Sequence, residues 1–265
     1  MLLILSGCQL VPMPTSTPTA SGAPTMTLTA TIVPIPTITP SPSETPTAMI
    51  PKVCAPLEGL ALADAQNMVV NAYNPPPPGS DDPHQGVDLA FTTGEGKVAV
   101  GGQAVYAVLS GKVAGLIQNR FPYGNVVIVE APLSELPAGV VVPQPLGNLN
   151  PPGALSCPDY SGQADLLSNP RSVYLLYSHM ASIAPLELEQ AVSCGDNLGV
   201  VGQTGNALNP HLHLEVRVGP SDMRFQSMGH YDPSVTGLEV ANYCAWRVSG
   251  LFQTLDPICV LGLCN

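Results

Sequence analysis

Residues 11–51 read VPMPTSTPTASGAPTMTLTATIVPIPTITPSPSETPTAMIP, and this tract decides where a fold can be built. It holds 10 prolines and 11 threonines, one charge (Glu44) and no aromatic side chain. Such a composition cannot bury enough apolar surface to offset chain entropy, and it favours extended polyproline-type conformations. At about 3.1 Å per residue the tract spans at most ~130 Å. A packed core therefore has to come from residues 52–265. The whole chain carries 30 Pro and 25 Gly with only 10% charged residues, which argues against a helical bundle and for a loop-rich β protein.

The strand pattern agrees. Residues 104–118 (AVYAVLSGKVAGLIQ) and 125–130 (NVVIVE) are rich in Val and Ile and bounded by SGK and PYGN, and they read as successive antiparallel strands. Residues 172–180, 198–205 and 211–218 form a second set. Residues 131–171, rich in Pro, Gly, Ser and Asn, read as a surface insertion pinned through Cys157, because long structureless loops are uncommon inside compact domains. The single expected helix lies around Leu57 to Asn71. The expectation is a mainly β, antiparallel, sandwich-like single domain over 52–265 with a loop-rich insertion.

Leu5-Ser6-Gly7-Cys8 follows an apolar start and is similar to a bacterial lipobox, in which the chain is cleaved before the Cys and acylated on it. The apolar stretch is short and has no basic residues, so the true start codon is expected upstream of Met1. Residues 1–8 then read as the end of a lipoprotein signal and 9–51 as a linker from the membrane into the cell wall. With Cys8 set aside, Cys54, Cys157, Cys194, Cys244, Cys259 and Cys264 remain, with no CxxC pair. Six cysteines suit three disulfides in an oxidising exterior and allow 15 connectivities. The net charge of −11 and the scatter of the eight basic residues argue against nucleic acid as a partner. No stretch approaches the roughly 18 to 20 apolar residues of a spanning helix. The expected location is extracytoplasmic, on the cell surface, as a lipid-anchored monomer.

Four of the five histidines fall in three short stretches: His84-Gln85-Gly86-Val87-Asp88, Tyr177-Ser178-His179-Met180, and His211-Leu212-His213-Leu214-Glu215. On a strand, His211 and His213 project to one face while Leu212 and Leu214 face the core. His84 and Asp88, an even number apart, return to one strand face, and Pro83 and Gly86 argue against a helix there. Glu215, on the face of His213, reads either as a surface carboxylate or as a hydrogen-bond partner of that imidazole. A lone HxH is more often a core or surface pair than a metal site, but these stretches occur together. Mixed His and carboxylate ligation suits a catalytic zinc, which takes three protein ligands and leaves one position for water.

The three stretches resemble the zinc metallopeptidases of the lysostaphin and LytM type, whose signature is HxxxD, a lone His, then HxH. The resemblance extends to GQAVYAVLSGKV, PYGNVVIVE and LGVVGQTGNALNPHLHLEV, and covers roughly residues 79–218. It implies a duplicated hybrid motif type of β fold and one zinc ion per chain held by His84, Asp88 and His213. It further implies His211 as the general base, and His179 as the residue that steadies the oxyanion or orients the water. The implied activity is hydrolysis of peptide bonds in peptidoglycan stem peptides or cross-bridges. Asn209 stands where the family usually has Gly before Pro, and Glu130 where many members have a His. Neither is a ligand, so both bear on substrate contacts.

Two other readings belong to different classes. A catalytically silent or latent zinc-binding module of the same fold needs the open coordination site covered, by the insertion or by Asp81-Asp82-Pro83. A disulfide-rich adhesion domain with incidental histidines would bind no zinc.

Overall fold

The computed structural model describes residues 52–95, 98–146, 155–160, 165–166 and 169–264. The signal remnant 1–8 with Cys8, the linker 9–51 and parts of the 131–171 insertion lie outside the described residues.

The backbone is mainly β and its sheets are antiparallel. The largest sheet runs in the order β1 (Val69–Asn71), β2 (Val87–Leu89), β12 (Leu212–Pro220), β8 (Arg171–Ser178), β7 (Gly124–Pro132), β6 (Gly111–Arg120) and β10 (Ala191–Val192), and β13 (Gln253–Leu255) pairs with β12. A three-stranded sheet orders β5 (Ala104–Tyr106), β11 (Asn197–Val200) and β9 (Ser182–Ile183), and β3 (Phe91–Thr93) pairs with β4 (Val98–Val100).

The large sheet is covered on both faces, which explains why β7 and β8 read as nearly continuous apolar runs. Val127, Val129, Leu175 and Tyr177 enter one core, and their neighbours Val126, Ile128, Tyr174 and Leu176 enter another. On β12 the alternation separates chemistry from packing. Leu212, Leu214, Val216 and Val218 fill the first core, while His213, Glu215 and Arg217 form a buried polar row on the other face.

The second core is closed by an element the sequence reading missed, helix α1 (Gly237–Arg247). Thr236 caps it by accepting from the Glu239 amide, and the Glu239 carboxylate returns to the Thr236 amide, a full capping box. Its Tyr243, Cys244 and Trp246 are buried against Phe225 and Phe252. The helix expected around Leu57 to Asn71 is instead a 3-10 turn at Leu62–Met68 that runs into β1, because the segment has no apolar stripe wide enough to seat a helix. A short helix α2 (Pro257–Val260) follows β13.

All six cysteines expected to pair do so: Cys54 with Cys194, Cys157 with Cys244, and Cys259 with Cys264. The second bridge pins the insertion to α1, and Leu155 of the insertion is buried in the second core. Among the described residues, no helix is long and apolar enough to cross a membrane.

Candidate metal centre

β2 and β12 lie side by side with Asp88 opposite His213, so the two ligand-bearing stretches meet through strand register. His84 sits just before β2 rather than on it, and the intervening Gly86 makes the approach possible. A Cβ at Gly86 would lie 2.5 Å from the Leu214 carbonyl oxygen and 2.9 Å from His213 Cε1. His179 ends β8 in a left-handed conformation (φ 62) that a non-glycine residue adopts at some cost, and such positions cluster at functional sites.

Three donor atoms converge. His84 Nε2 and His213 Nδ1 are 3.0 Å apart, and Asp88 Oδ1 is 3.1 Å from the first and 2.7 Å from the second. Zinc bonds of about 2.0–2.1 Å set tetrahedral ligand atoms roughly 3.3 Å apart, so this cage fits zinc after opening by a few tenths of an ångström. The far nitrogen of each ring is committed elsewhere. His84 Nδ1 donates to the Ala72 carbonyl (3.0 Å), and His213 Nε2 donates to Glu215 (3.1 Å). In its neutral form each imidazole therefore turns a lone pair toward the common centre, the arrangement that metal-ligating histidines show.

The other two histidines are held in the same way. His179 Nδ1 donates to the Thr204 carbonyl (2.8 Å) and His211 Nδ1 to the Asn209 carbonyl (2.7 Å), which leaves Nε2 of each as the free atom. His211 Nε2 lies 3.5 Å from Asp88 Oδ1, and the ring centroids of His179 and His211 are 4.8 Å apart. The structure thus brings together all five residues singled out in the sequence.

Burial acts on these groups unequally. It depresses the His179 pKa to about 3, helped by the neighbouring imidazoles of His213 and His211, so this ring is neutral. Burial works against protonating His213, but the carboxylates of Asp88 and Glu215 outweigh it and raise its pKa to about 9. A proton on Nδ1 and a metal ion compete for one place. Burial also disfavours the Asp88 carboxylate, yet hydrogen bonds from His213 and His84 hold it well below the usual carboxylate range.

The cluster forms the floor of a cleft of about 810 Å³, walled by Val70, Asp82, Phe121, Leu208 and Tyr231 among others. The His84 and His211 side chains keep 19% and 13% exposure, so solvent reaches the centre. Among the described residues, neither the insertion nor Pro83 lines this cleft, whereas Asp81 and Asp82 do.

Residues 155–225, 71 of the 265, match the family model of Peptidase family M23. That segment is similar to M23 peptidases. The matched segment takes in His179, His211 and His213, while His84 and Asp88 precede it. The chain is similar to the DD-carboxypeptidase/endopeptidase Mpg of Neisseria meningitidis serogroup B, 30% identical over 86 residues, which is 32% of this chain and 20% of that protein. The Neisseria gonorrhoeae Mpg is 29% identical over 86 residues with the same shares. The aligned stretch thus spans a fifth of these relatives' length. Among solved structures, the catalytic domain of lysostaphin from Staphylococcus simulans is 18% identical, covering 75% of this chain and 97% of that one at a TM-score of 0.38. A zinc-containing peptidase from Vibrio cholerae is 22% identical, covering 56% and 32% at 0.30.

Two sequence readings are corrected. Glu215 is no surface carboxylate: it is fully buried. Glu130 does not line the cleft; it is buried and paired with Arg224 (2.6 Å) and Lys112 (3.8 Å). Asn209 does line it, through the segment whose carbonyl holds His211. Sequence reasoning also missed Tyr123, Trp246 and Arg247, which hydrogen-bond to Glu215, and the pairing of Asp81 with Arg247. The row His213, Glu215, Arg217 was visible as an i, i+2, i+4 pattern, but nothing local marks Trp246 or Arg247 as its partners.

Proposed function

We propose that this protein is a zinc-dependent endopeptidase that hydrolyses peptide bonds in bacterial peptidoglycan, in a stem peptide or a cross-bridge. The observation that carries the reading is the convergence of His84 Nε2, Asp88 Oδ1 and His213 Nδ1 at the floor of an open cleft, beside two imidazoles with free nitrogens. The M23 match and the peptidase names of the Mpg relatives support it.

His84, Asp88 and His213 hold the zinc ion. When bound, zinc lowers the pKa of its water toward about 7 and polarises the scissile carbonyl. His211 is the general base: its Nδ1 proton is committed to the Asn209 carbonyl, so Nε2 is the atom that accepts a proton. His179 has the same tautomer and stays neutral, so its Nε2 accepts from and orients water rather than donating to an oxyanion. No glutamate base is required, which separates this site from HExxH enzymes. The partners are peptidoglycan peptides, met by a monomer on the outer side of the membrane and tethered through Cys8 and the linker.

The test is incubation of the zinc-loaded full chain with peptidoglycan sacculi, counting new amino groups. His211→Ala should lower their release by roughly 10²–10⁴-fold while still binding one zinc. One zinc bound and no new amines, across several wall chemistries, would replace this reading with the silent binding module.

A further inference from the structure

Glu215 sits at the centre of a saturated buried network. Its Oε1 accepts from His213 Nε2 (3.1 Å), Tyr123 OH (2.7 Å) and Arg247 Nη1 (2.9 Å). Its Oε2 accepts from Arg217 Nε (2.9 Å), Arg217 Nη2 (2.8 Å) and Trp246 Nε1 (2.8 Å). A carboxylate offers about four lone-pair sites, so six donors leave it no freedom to turn. Where Glu215 is held, the His213 ring is held.

Arg247 does more than neutralise this charge. One side of its guanidinium group reaches Glu215 and Tyr123; the other donates from Nε to Asp81 Oδ1 (2.7 Å) and from Nη2 to the Asp81 carbonyl (2.6 Å). Asp81 lies three residues before His84, and Glu215 two residues after His213. The guanidinium therefore spans the two chain segments that carry the donor atoms. Arg217 adds a parallel link, donating from Nη2 to Gln85 Oε1 (2.6 Å). Arg247 and Trp246 stand on helix α1, outside the segment matched to the family.

We propose that Arg247 is a positioning residue for the metal centre: by bridging Asp81 and Glu215 it sets the distance between the His84–Asp88 segment and His213. This rests on the zinc reading above. A planar fork with fixed donors can hold two partners at once, whereas a lysine ammonium is a single point on a flexible stem. Charge alone is therefore not enough, and Arg247→Lys is the informative change.

The experiment measures zinc affinity by chelator competition, and the visible spectrum of the cobalt-substituted protein, for the full oxidised chain. The variants are Arg247→Lys, Glu215→Gln and the pair combined, each checked for folding without metal. Arg247→Lys should weaken zinc binding 10–100-fold and shift the cobalt bands. The combined variant should bind no more weakly than Glu215→Gln alone, because both act on His213 by one route. If Arg247→Lys does not fold, Trp246→Phe removes one donor to Glu215 and keeps a ring in place; it should weaken zinc binding in the same direction by a smaller factor. Wild-type affinity and spectrum in the folded Arg247→Lys protein, or in Trp246→Phe where the lysine variant does not fold, overturn the proposal, as do additive losses in the pair. A wild-type chain that binds no zinc refutes the underlying reading instead.

Discussion

Replacing Gly86 by alanine should damage the metal centre from a position that carries no ligand. The added Cβ would sit 2.5 Å from the Leu214 carbonyl oxygen, about 0.9 Å inside ordinary contact, and 2.9 Å from His213 Cε1. Relief by movement of β12 is blocked, because Leu214 is in register with Val87 on one side and Tyr177 on the other. The His84–Asp88 segment must therefore lift, carrying two of the three donor atoms away from His213 Nδ1. A shift of that size exceeds the roughly 0.2 Å tolerance of metal–ligand bonds. Zinc affinity should fall 10–100-fold or more, and the metal-free protein should lose about 1–3 kcal/mol to overpacking. Chelator competition reads the first quantity and urea unfolding in EDTA the second. Gly237→Ala is the control: it opens α1, a Cβ there meets nothing within 4 Å, and it should leave zinc affinity unchanged. A Gly86→Ala protein with wild-type zinc affinity and stability would refute the reasoning.

Acid should destabilise the metal-free fold in a defined window. Hydrogen bonds from Ser227 and the Thr236 amide lower the Glu239 pKa to about 2, and the Arg247 charge overcomes burial to lower that of Asp81, so both contribute stability above their ordinary carboxyl values and lose it as pH falls through the folded ones. Unfolding free energy should drop most steeply between about pH 4.5 and 2, and Glu239→Gln should flatten that slope; an unchanged slope would contradict the assignment. The disulfides should rank by the loops they close: with sequence separations of 140, 87 and 5, chain-entropy estimates are about 5, 4.6 and 2 kcal/mol for Cys54–Cys194, Cys157–Cys244 and Cys259–Cys264. Paired Cys→Ala variants compared by urea unfolding check this order, and a Cys259–Cys264 pair costing the most would reverse it.

His211 and His213 were legible because strand periodicity, a two-residue repeat, reports side-chain face directly, whereas His84, which lies before β2, and the lone His179 stood out through the family resemblance. His211 and His213 alternate with Leu212 and Leu214, and the structure keeps that alternation. Glycine-bounded valine runs marked the strands for the same reason. Helix α1 was not legible: its buried Tyr243, Cys244 and Trp246 form a short stripe among polar residues, and its clearest signal was the Thr236–Glu239 capping box. The cost of Glu215's burial was invisible too, since its compensating charges Arg217 and Arg247 come from 2 and 32 residues away. Local pattern specifies which side chains share a face. Which distant charge arrives opposite them is set by how α1 packs over that face.

The proposed function rests on one zinc ion held by His84, Asp88 and His213. A crystal of the zinc-loaded protein, with diffraction collected on either side of the zinc absorption edge, tests it directly. One anomalous peak is expected about 2.0–2.2 Å from His84 Nε2, Asp88 Oδ1 and His213 Nδ1. A peak at other residues, or none in protein loaded with one equivalent, would contradict it.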